Sequence, residues 1–280
     1  MTNRPLSFIV KDQTPALVSS TCTARDACRL MYERAVGSVL VMDGQGRLKG
    51  IFTGRDAVRL LAKGNDASGV SLAKAMTRNP VTIGLKARAI DAICAMCNGG
   101  FRHLPVVDNG KVLGIVTRND FKGMEIEEYA WHKICRVTAS PENRELAAII
   151  EGQTPLLLTT DQTVQQACRS MWKRKLGSTL VVDGRQRLKG IFTGRDAVRG
   201  LAVTKNAAVV RLAKAMTRNP LTITPKARAI DALRMMNDGG FRHLPVVEDQ
   251  AILGVLSRSD FSGIEIDRLD EEEHLKECIW

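Results

Sequence analysis

Apolar residues fall along this chain in short blocks of two kinds, one alternating with helical spacing and one continuous. Over residues 78–121, Pro80 precedes Val81-Thr82-Ile83, which reads as a short strand. Residues 87–98 carry apolar side chains at Ile90, Ile93, Cys94 and Cys97, one face of a helix, and Gly99-Gly100 ends it. Residues 104–107 are a continuous apolar run, Asn109-Gly110 marks a tight hairpin turn, and residues 112–117 form the returning strand. Asn119-Asp120-Phe121 opens another short helix. The predicted order is strand, helix, strand, strand, helix.

The order recurs because the sequence recurs. IFTGRDAVR at 51–59 returns at 191–199, AKAMTRNP at 73–80 returns at 213–220, and GGFRHLPVV at 99–107 returns at 239–247, always 140 residues on and without a gap. A weaker repeat lies inside each half. SVLVMD…LKGIFTGRD (38–56) matches HLPVVD…VLGIVTRND (103–120), and 178–196 matches 243–260. Asp43-Gly44 and Asp183-Gly184 supply the turn in the first and third units. The chain is therefore read as α/β (α+β), with four β-α-β-β-α units in two pairs. A unit of roughly 60 residues is marginal for a core of its own, so units must pair to bury a shared face.

The expected division is unit 1 at 1–64, unit 2 at 65–123, a helical linker at 124–150, unit 3 at 151–204, unit 4 at 205–263 and a C-terminal helix at 264–280. Residues 66–76 and 206–216 read as helices connecting the units of each half. In the linker, 125–135 reads as helical, and Ser140-Pro141 caps a short helix ending near Ile150.

Composition adds little to this and excludes more. At 280 residues there is room for about two ordinary domains, matching the two halves. No apolar run approaches the ~20 residues that span a bilayer. The opening MTNRPLSFIVKDQ lacks the apolar stretch of a signal peptide, so a soluble cytoplasmic protein is expected. The net charge of +11 raises nucleic acid as a partner, but the basic residues are dispersed, many beside Gly and Thr within the repeats. They suit a solvated surface, with a share lining sites for phosphate-bearing ligands. Of seven cysteines only Cys28 and Cys168 recur. Cys94 and Cys97 form a CxxC within a helical pattern, but their counterparts are Arg234 and Asn237, so a helix-face reading is preferred to a metal or redox one.

One chemical pattern is common to all four units: a hydroxyl at the end of the third strand and an aspartate three positions later. The pairs are Thr53 with Asp56, Thr117 with Asp120, Thr193 with Asp196, and Ser257 with Asp260. A carboxylate accepting two hydrogen bonds suits the vicinal hydroxyls of a ribose, and N–H groups exposed in the same turn favour phosphate. The same spacing is also that of a helix cap.

The run LPVVD, a turn, an apolar strand ending Gly-Ile-Val-Thr, and then x-x-Asp resembles the CBS domain, named after cystathionine β-synthase. The resemblance fits all four units. It implies that two units pack through their sheets into a Bateman module, here twice with pseudo-twofold symmetry. It further implies adenine nucleotides (AMP, ADP or ATP) in the clefts between units, and modules meeting as a flat disc, within a monomer or as a homodimer. The family often places basic residues before the LPVV strand to hold phosphate. Here these are Arg102 and His103, and Arg242 and His243; units 1 and 3 carry Gly37-Ser38 and Gly177-Ser178 instead. Arg55, Arg118, Arg195 and Arg258, inside the Thr-x-x-Asp turns, are further phosphate candidates.

No repeated nucleophile–base pair, P-loop, strand-following GxGxxG or cluster of metal ligands is present, so neither an enzyme nor an obligatory cofactor or metal is expected. The sequence thus predicts a regulatory module that senses an adenine nucleotide and acts on an unknown effector protein in trans. The alternative is a nucleic-acid-associated or structural adaptor using the basic surface.

Overall fold

A computed structural model describes residues 3–65, 67–122, 125–126, 143–262, 265–266 and 269. The first half begins with a short helix α1 (Leu6–Ile9) and a four-stranded sheet, β1 (Leu17–Ser19), β2 (Ser38–Met42), β3 (Leu48–Thr53) and β4 (Thr77–Arg78). Helix α2 (Ala24–Glu33) crosses between β1 and β2, which pair parallel, and α3 (Gly54–Lys63) follows β3 directly. After a short α4 (Leu72–Ala75) come α5 (Ala89–Gly99) and the hairpin β5 (His103–Asp108) and β6 (Lys111–Thr117), closed by a 3-10 turn at Arg118–Asp120. The second half repeats this as α6 (Leu146–Ile150), β7 (Leu157–Thr159), α7 (Val164–Arg174), β8 (Ser178–Val182), β9 (Leu188–Thr193), α8 (Gly194–Val203), α9 (Leu212–Ala215) and β10 (Thr217–Arg218). It continues with α10 (Ala229–Asp238), β11 (His243–Glu248), β12 (Ala251–Ser257) and a 3-10 turn at Arg258–Asp260. Among the described residues no helix is long and apolar enough to cross a membrane.

Local chemistry explains most boundaries. Thr23 caps α2 by accepting from Asp26 N at 3.1 Å while the Asp26 carboxylate accepts from Thr23 N at 3.2 Å. The connecting segments are shorter helices than the sequence predicts. The reason is that Ala67 O and Val70 O accept from Arg25 N and Ala24 N at 3.2 and 2.8 Å, satisfying the free N–H groups of α2. That stretch is used as a cap and cannot continue as a helix. The strand predicted at 81–83 is a single parallel bridge, Ile83 to Val106.

All four hairpins shift register at the same place, between Val41 and Met42, Val106 and Val107, Val181 and Val182, and Val246 and Val247. Opposite each lies a glycine, and the space it leaves is filled. A Cβ on Gly50 would sit 2.3 Å from Sδ of Met76, and one on Gly254 would sit 2.9 Å from Cβ of Ile150.

The latter contact shows where the opening residues of each half belong. Gln13 Oε1 accepts from Ile115 N at 2.9 Å and Arg4 O from Ala89 N at 2.9 Å; Gln153 and Arg144 do the same for Val255 and Ala229 at 3.1 and 2.9 Å. Residues 4–13 and 144–153 thus pack on the second and fourth units, across the divisions expected at 1–64 and 124–150. The helix expected at 125–135, the cap at Ser140-Pro141 and most of the segment 264–280 lie outside the described residues.

Two apolar cores result, and each is shared between the halves. Met31, Phe52 and Leu61 of unit 1 cluster with Met171, Phe192 and Leu201 of unit 3; Ile93, Met96 and Leu104 of unit 2 cluster with Leu233, Met236 and Leu244 of unit 4. Helices α2 and α3 pack on α7 and α8 across a pseudo-twofold axis. On the axis the first residues of α3 and α8 meet: a Cβ on Gly54 would lie 3.3 Å from the carbonyl carbon and oxygen of Gly194. Gly54→Val should therefore press its side chain against the Gly194 backbone and cost about 2 kcal/mol, the scale of overpacking. Calorimetry that found the wild-type melting temperature would contradict this close approach.

Candidate functional site

The four hydroxyl–aspartate pairs, alike in sequence, divide two and two in structure. In every pair one carboxylate oxygen turns back to the strand end. Asp56 Oδ2 accepts from Thr53 N and Oγ1, both at 2.9 Å, and Asp120 Oδ2 accepts from Thr117 N at 2.6 Å and Oγ1 at 2.8 Å. Asp196 and Asp260 accept similarly from Thr193 N (2.9 Å) and Ser257 N (2.6 Å). The second oxygen separates the classes. Asp56 Oδ1 accepts from Arg59 Nη2 at 2.8 Å and Thr77 Oγ1 at 3.2 Å, and Asp196 Oδ1 from Arg199 Nη2 at 2.9 Å and Thr217 Oγ1 at 3.1 Å. Both carboxylates are buried, and burial, only partly offset by Arg59, raises the Asp56 carboxyl above its ordinary range. These two are committed to structure. Asp120 and Asp260 are half-buried, and among the described residues their Oδ1 atoms take no hydrogen bond.

Ser257 and Asp260 line a cleft of about 840 Å³ between units 3 and 4. Its apolar wall is Leu156, Leu180 and Val255, with Ile93 and Phe101 reaching in from unit 2. Basic groups line it as well: Arg174, Lys175 and His243 from its own half, and Arg55, Arg102 and Arg118 from the other. The same relation holds in the first half by symmetry. A Cβ on Gly177 would lie 3.0 Å from His243 Nε2 and 3.6 Å from Arg102 Nη2; on Gly37 it would lie 2.8 Å from His103 Nε2 and 3.5 Å from Arg242 Nη2. Adjacent residues thus part company. His103 faces the cleft of its own half, and Arg102 crosses the axis into the other.

Arg55 and Arg195 hold the neighbouring turns, donating to Gly100 O and Gly240 O at 3.2 and 3.1 Å. Arg258 occupies in its own turn the place that Arg118 takes in unit 2, and is half-buried. The central groups act on one another. Burial, then Arg242, Arg102 and Arg55, push the His103 imidazole down to about 4. Burial, then Arg102, Arg242 and Arg195, push His243 down to about 4. Arg102 is lowered by burial and Arg55, and Arg242 by burial, Arg102 and Arg195. No carboxylate contributes to any of these shifts. Four guanidiniums (Arg55, Arg102, Arg195 and Arg242) and two imidazoles thus act on one another, an arrangement that favours a bound polyanion.

Sequence reasoning missed Leu156, Thr179, Leu180 and Val255. Their signal was faint, since each stands in an ordinary apolar strand. The glycines at Gly37 and Gly177 were visible but read as a mere lack of basic residues; the structure shows that they make room for the basic residues of other units. Cys97 lines the same cleft, and among the described residues no three His, Cys, Asp or Glu side chains gather as a metal ion requires. Cys28 and Cys168 are buried, and burial pushes both thiols up to about 12, which keeps them protonated.

The profile of the CBS domain matches residues 10–63, 71–124, 153–203 and 210–264. The CBS domain-containing protein CBSCBSPB2 of Arabidopsis thaliana is 30% identical over 256 residues, covering 82% of this chain and 48% of that protein. The meiotically up-regulated gene 70 protein of Schizosaccharomyces pombe is 28% identical over 316 residues, covering 92% of this chain and 43% of that protein. The chain spans about half the length of the curated relatives it matches. Among solved structures, protein MJ1225 from Methanocaldococcus jannaschii matches with a TM-score of 0.72 at 19% identity, over 93% of this chain and 98% of that one, a likeness of fold.

Proposed function

Because the chain belongs to the CBS domain family, with four matched stretches that together exceed half its length, we propose that it is a non-catalytic regulatory module. It senses an adenine nucleotide in the clefts closed by Asp120 and Asp260 and conveys its occupancy to a partner protein in trans. The observation that carries this reading is the set of groups lining the Asp260 cleft: apolar side chains that suit a base, a carboxylate whose Oδ1 takes no hydrogen bond among the described residues and suits a ribose, and Arg55, Arg102, Arg118 and His243, which suit phosphate. Arg55, Arg102, Arg118 and His243 would hold the phosphate of one ligand, and Arg195, Arg242, Arg258 and His103 that of the other. Because these groups point inward, towards the axis, they favour a small anion over a nucleic acid lying on the surface.

AMP, ADP or ATP at ~100 times its dissociation constant should stabilise the fold by roughly 2.7 kcal/mol, a rise readily seen in a melting curve. No change at millimolar nucleotide would overturn the reading. The aspartates should separate by class. Asp120→Ala and Asp260→Ala should each weaken binding at their own cleft by about 1.5–3 kcal/mol and leave the melting temperature near that of the wild type. Asp56→Ala should instead strand Arg59 and Thr77 and cost about 1–3 kcal/mol of stability. If calorimetry and melting curves show all three variants behaving alike, the division into two classes is wrong.

A further inference from the structure

The two clefts differ where the base would sit. In the second half, Leu156 O accepts from Leu180 N at 2.9 Å and from Thr179 Oγ1 at 2.9 Å. A carbonyl has two lone pairs, so this acceptor is filled. Leu156, Thr179 and Leu180 all line the Asp260 cleft. The residues 140 positions earlier are Ala16, Val39 and Leu40. Ala16 O accepts from Leu40 N at 2.8 Å, and Val39 has no hydroxyl to supply a second hydrogen bond.

We infer that the two clefts read the base differently: the Asp120 cleft selects a purine bearing an exocyclic amino group through the spare acceptor of Ala16 O, whereas in the Asp260 cleft Thr179 occupies that acceptor and removes the selection. Val39 and Thr179 are the specificity-determining pair. This rests on the nucleotide reading above and deepens it. Thr179 is buried and bound to the backbone, so its hydroxyl is spent inside the protein. An amino group brought to Leu156 O would meet a filled acceptor, while a 6-oxo base loses nothing there.

The test is titration calorimetry of the full chain with AMP and with IMP, which differ at the 6-position. One cleft is weakened at a time. With Asp260→Ala, AMP should bind the Asp120 cleft about fivefold more tightly than IMP, the ratio that one neutral hydrogen bond supports. With Asp120→Ala, the two ligands should bind within about twofold of each other at the remaining cleft, since no free acceptor distinguishes them. Val39→Thr should abolish the preference in the first background and Thr179→Val should create it in the second. Both changes keep the side-chain shape, and a melting curve for each confirms folding. Equal AMP to IMP ratios in the two clefts, or ratios unmoved by Val39→Thr and Thr179→Val, overturn the inference and leave the nucleotide reading standing. Binding of neither ligand to the wild type overturns both.

Discussion

Glu265→Gln is expected to lower the stability of the fold by roughly 3 kcal/mol, the scale of breaking a buried ion pair from one side. For a chain of this size that corresponds to a fall in Tm on the order of 6–12 °C. Glu265 is fully buried and accepts a fork from Arg144, with Nε at 3.0 Å from Oε1 and Nη2 at 2.9 Å from Oε2. Ser262 N adds a bond of 2.8 Å to Oε2, and Arg144 Nη2 donates onward to Asp260 O at 3.0 Å. Glutamine keeps the shape but leaves the guanidinium without its counter-charge. Because the fork ties the first residues of the half to the turn carrying Asp260, binding at that cleft should weaken as well.

The pH dependence has a definite sign. Burial pushes the Glu265 carboxyl up, but the Arg144 fork and the Ser262 N–H outweigh it and hold the group below its ordinary value. The stabilisation is therefore complete above the unfolded carboxylate range and is lost as pH falls through the folded value. Wild type and Glu265→Gln should converge in acid. Arg4 and Glu125 form the same fork in the first half, with Nη2 at 2.8 Å from Oε2, so Glu125→Gln should behave alike. Urea titrations of both variants check this, and variants that melt with the wild type would reduce the forks to ornament.

Arg242→Met should do the opposite. Removing one of four like charges from the centre relieves their mutual repulsion, so the ligand-free protein should gain on the order of 1 kcal/mol. That is a rise of roughly 2–4 °C. Its response to nucleotide should fall by more than half, because an anchoring charge is gone. Here too pH reports the cause. The folded imidazoles of His103 and His243 titrate at about 4, below the unfolded value of about 6.5. Between those values the unfolded chain binds more protons, so the ligand-free wild type should lose stability as pH falls from about 6.5 towards 4. In Arg242→Met the largest neighbouring charge acting on His103 is missing, and the loss should be shallower. A variant less stable than the wild type without ligand at neutral pH would show that the cluster is compensated after all.

The repeat made the hairpins and the four-unit count legible, since strands and turns of this kind are decided within a dozen residues. The division among the aspartates was legible too, though from a residue not weighed. Three positions after Asp56 and Asp196 stand Arg59 and Arg199, while Gly123 and Gly263 follow Asp120 and Asp260. An arginine one helical turn on captures the free oxygen, and glycine has no side chain with which to do so. The crossing of Arg102 into the opposite half was not legible. Its neighbour His103 follows the strand inward, and only the packing of α3 on α8 decides what stands on the far side of the axis. The displaced opening helices have the same cause, because their glycine partners lie about a hundred residues ahead.

Each core is built from both halves, so neither half is a complete folding unit. The chain is in effect a homodimer whose protomers have been joined end to end. Joining replaces association by a local concentration set by the connection, so dilution no longer separates the halves. A dimer of identical chains must carry every substitution twice. Here Val39 can stand where the other half has Thr179, and Ala16 where it has Leu156, because the joining has released the two clefts from having to stay the same.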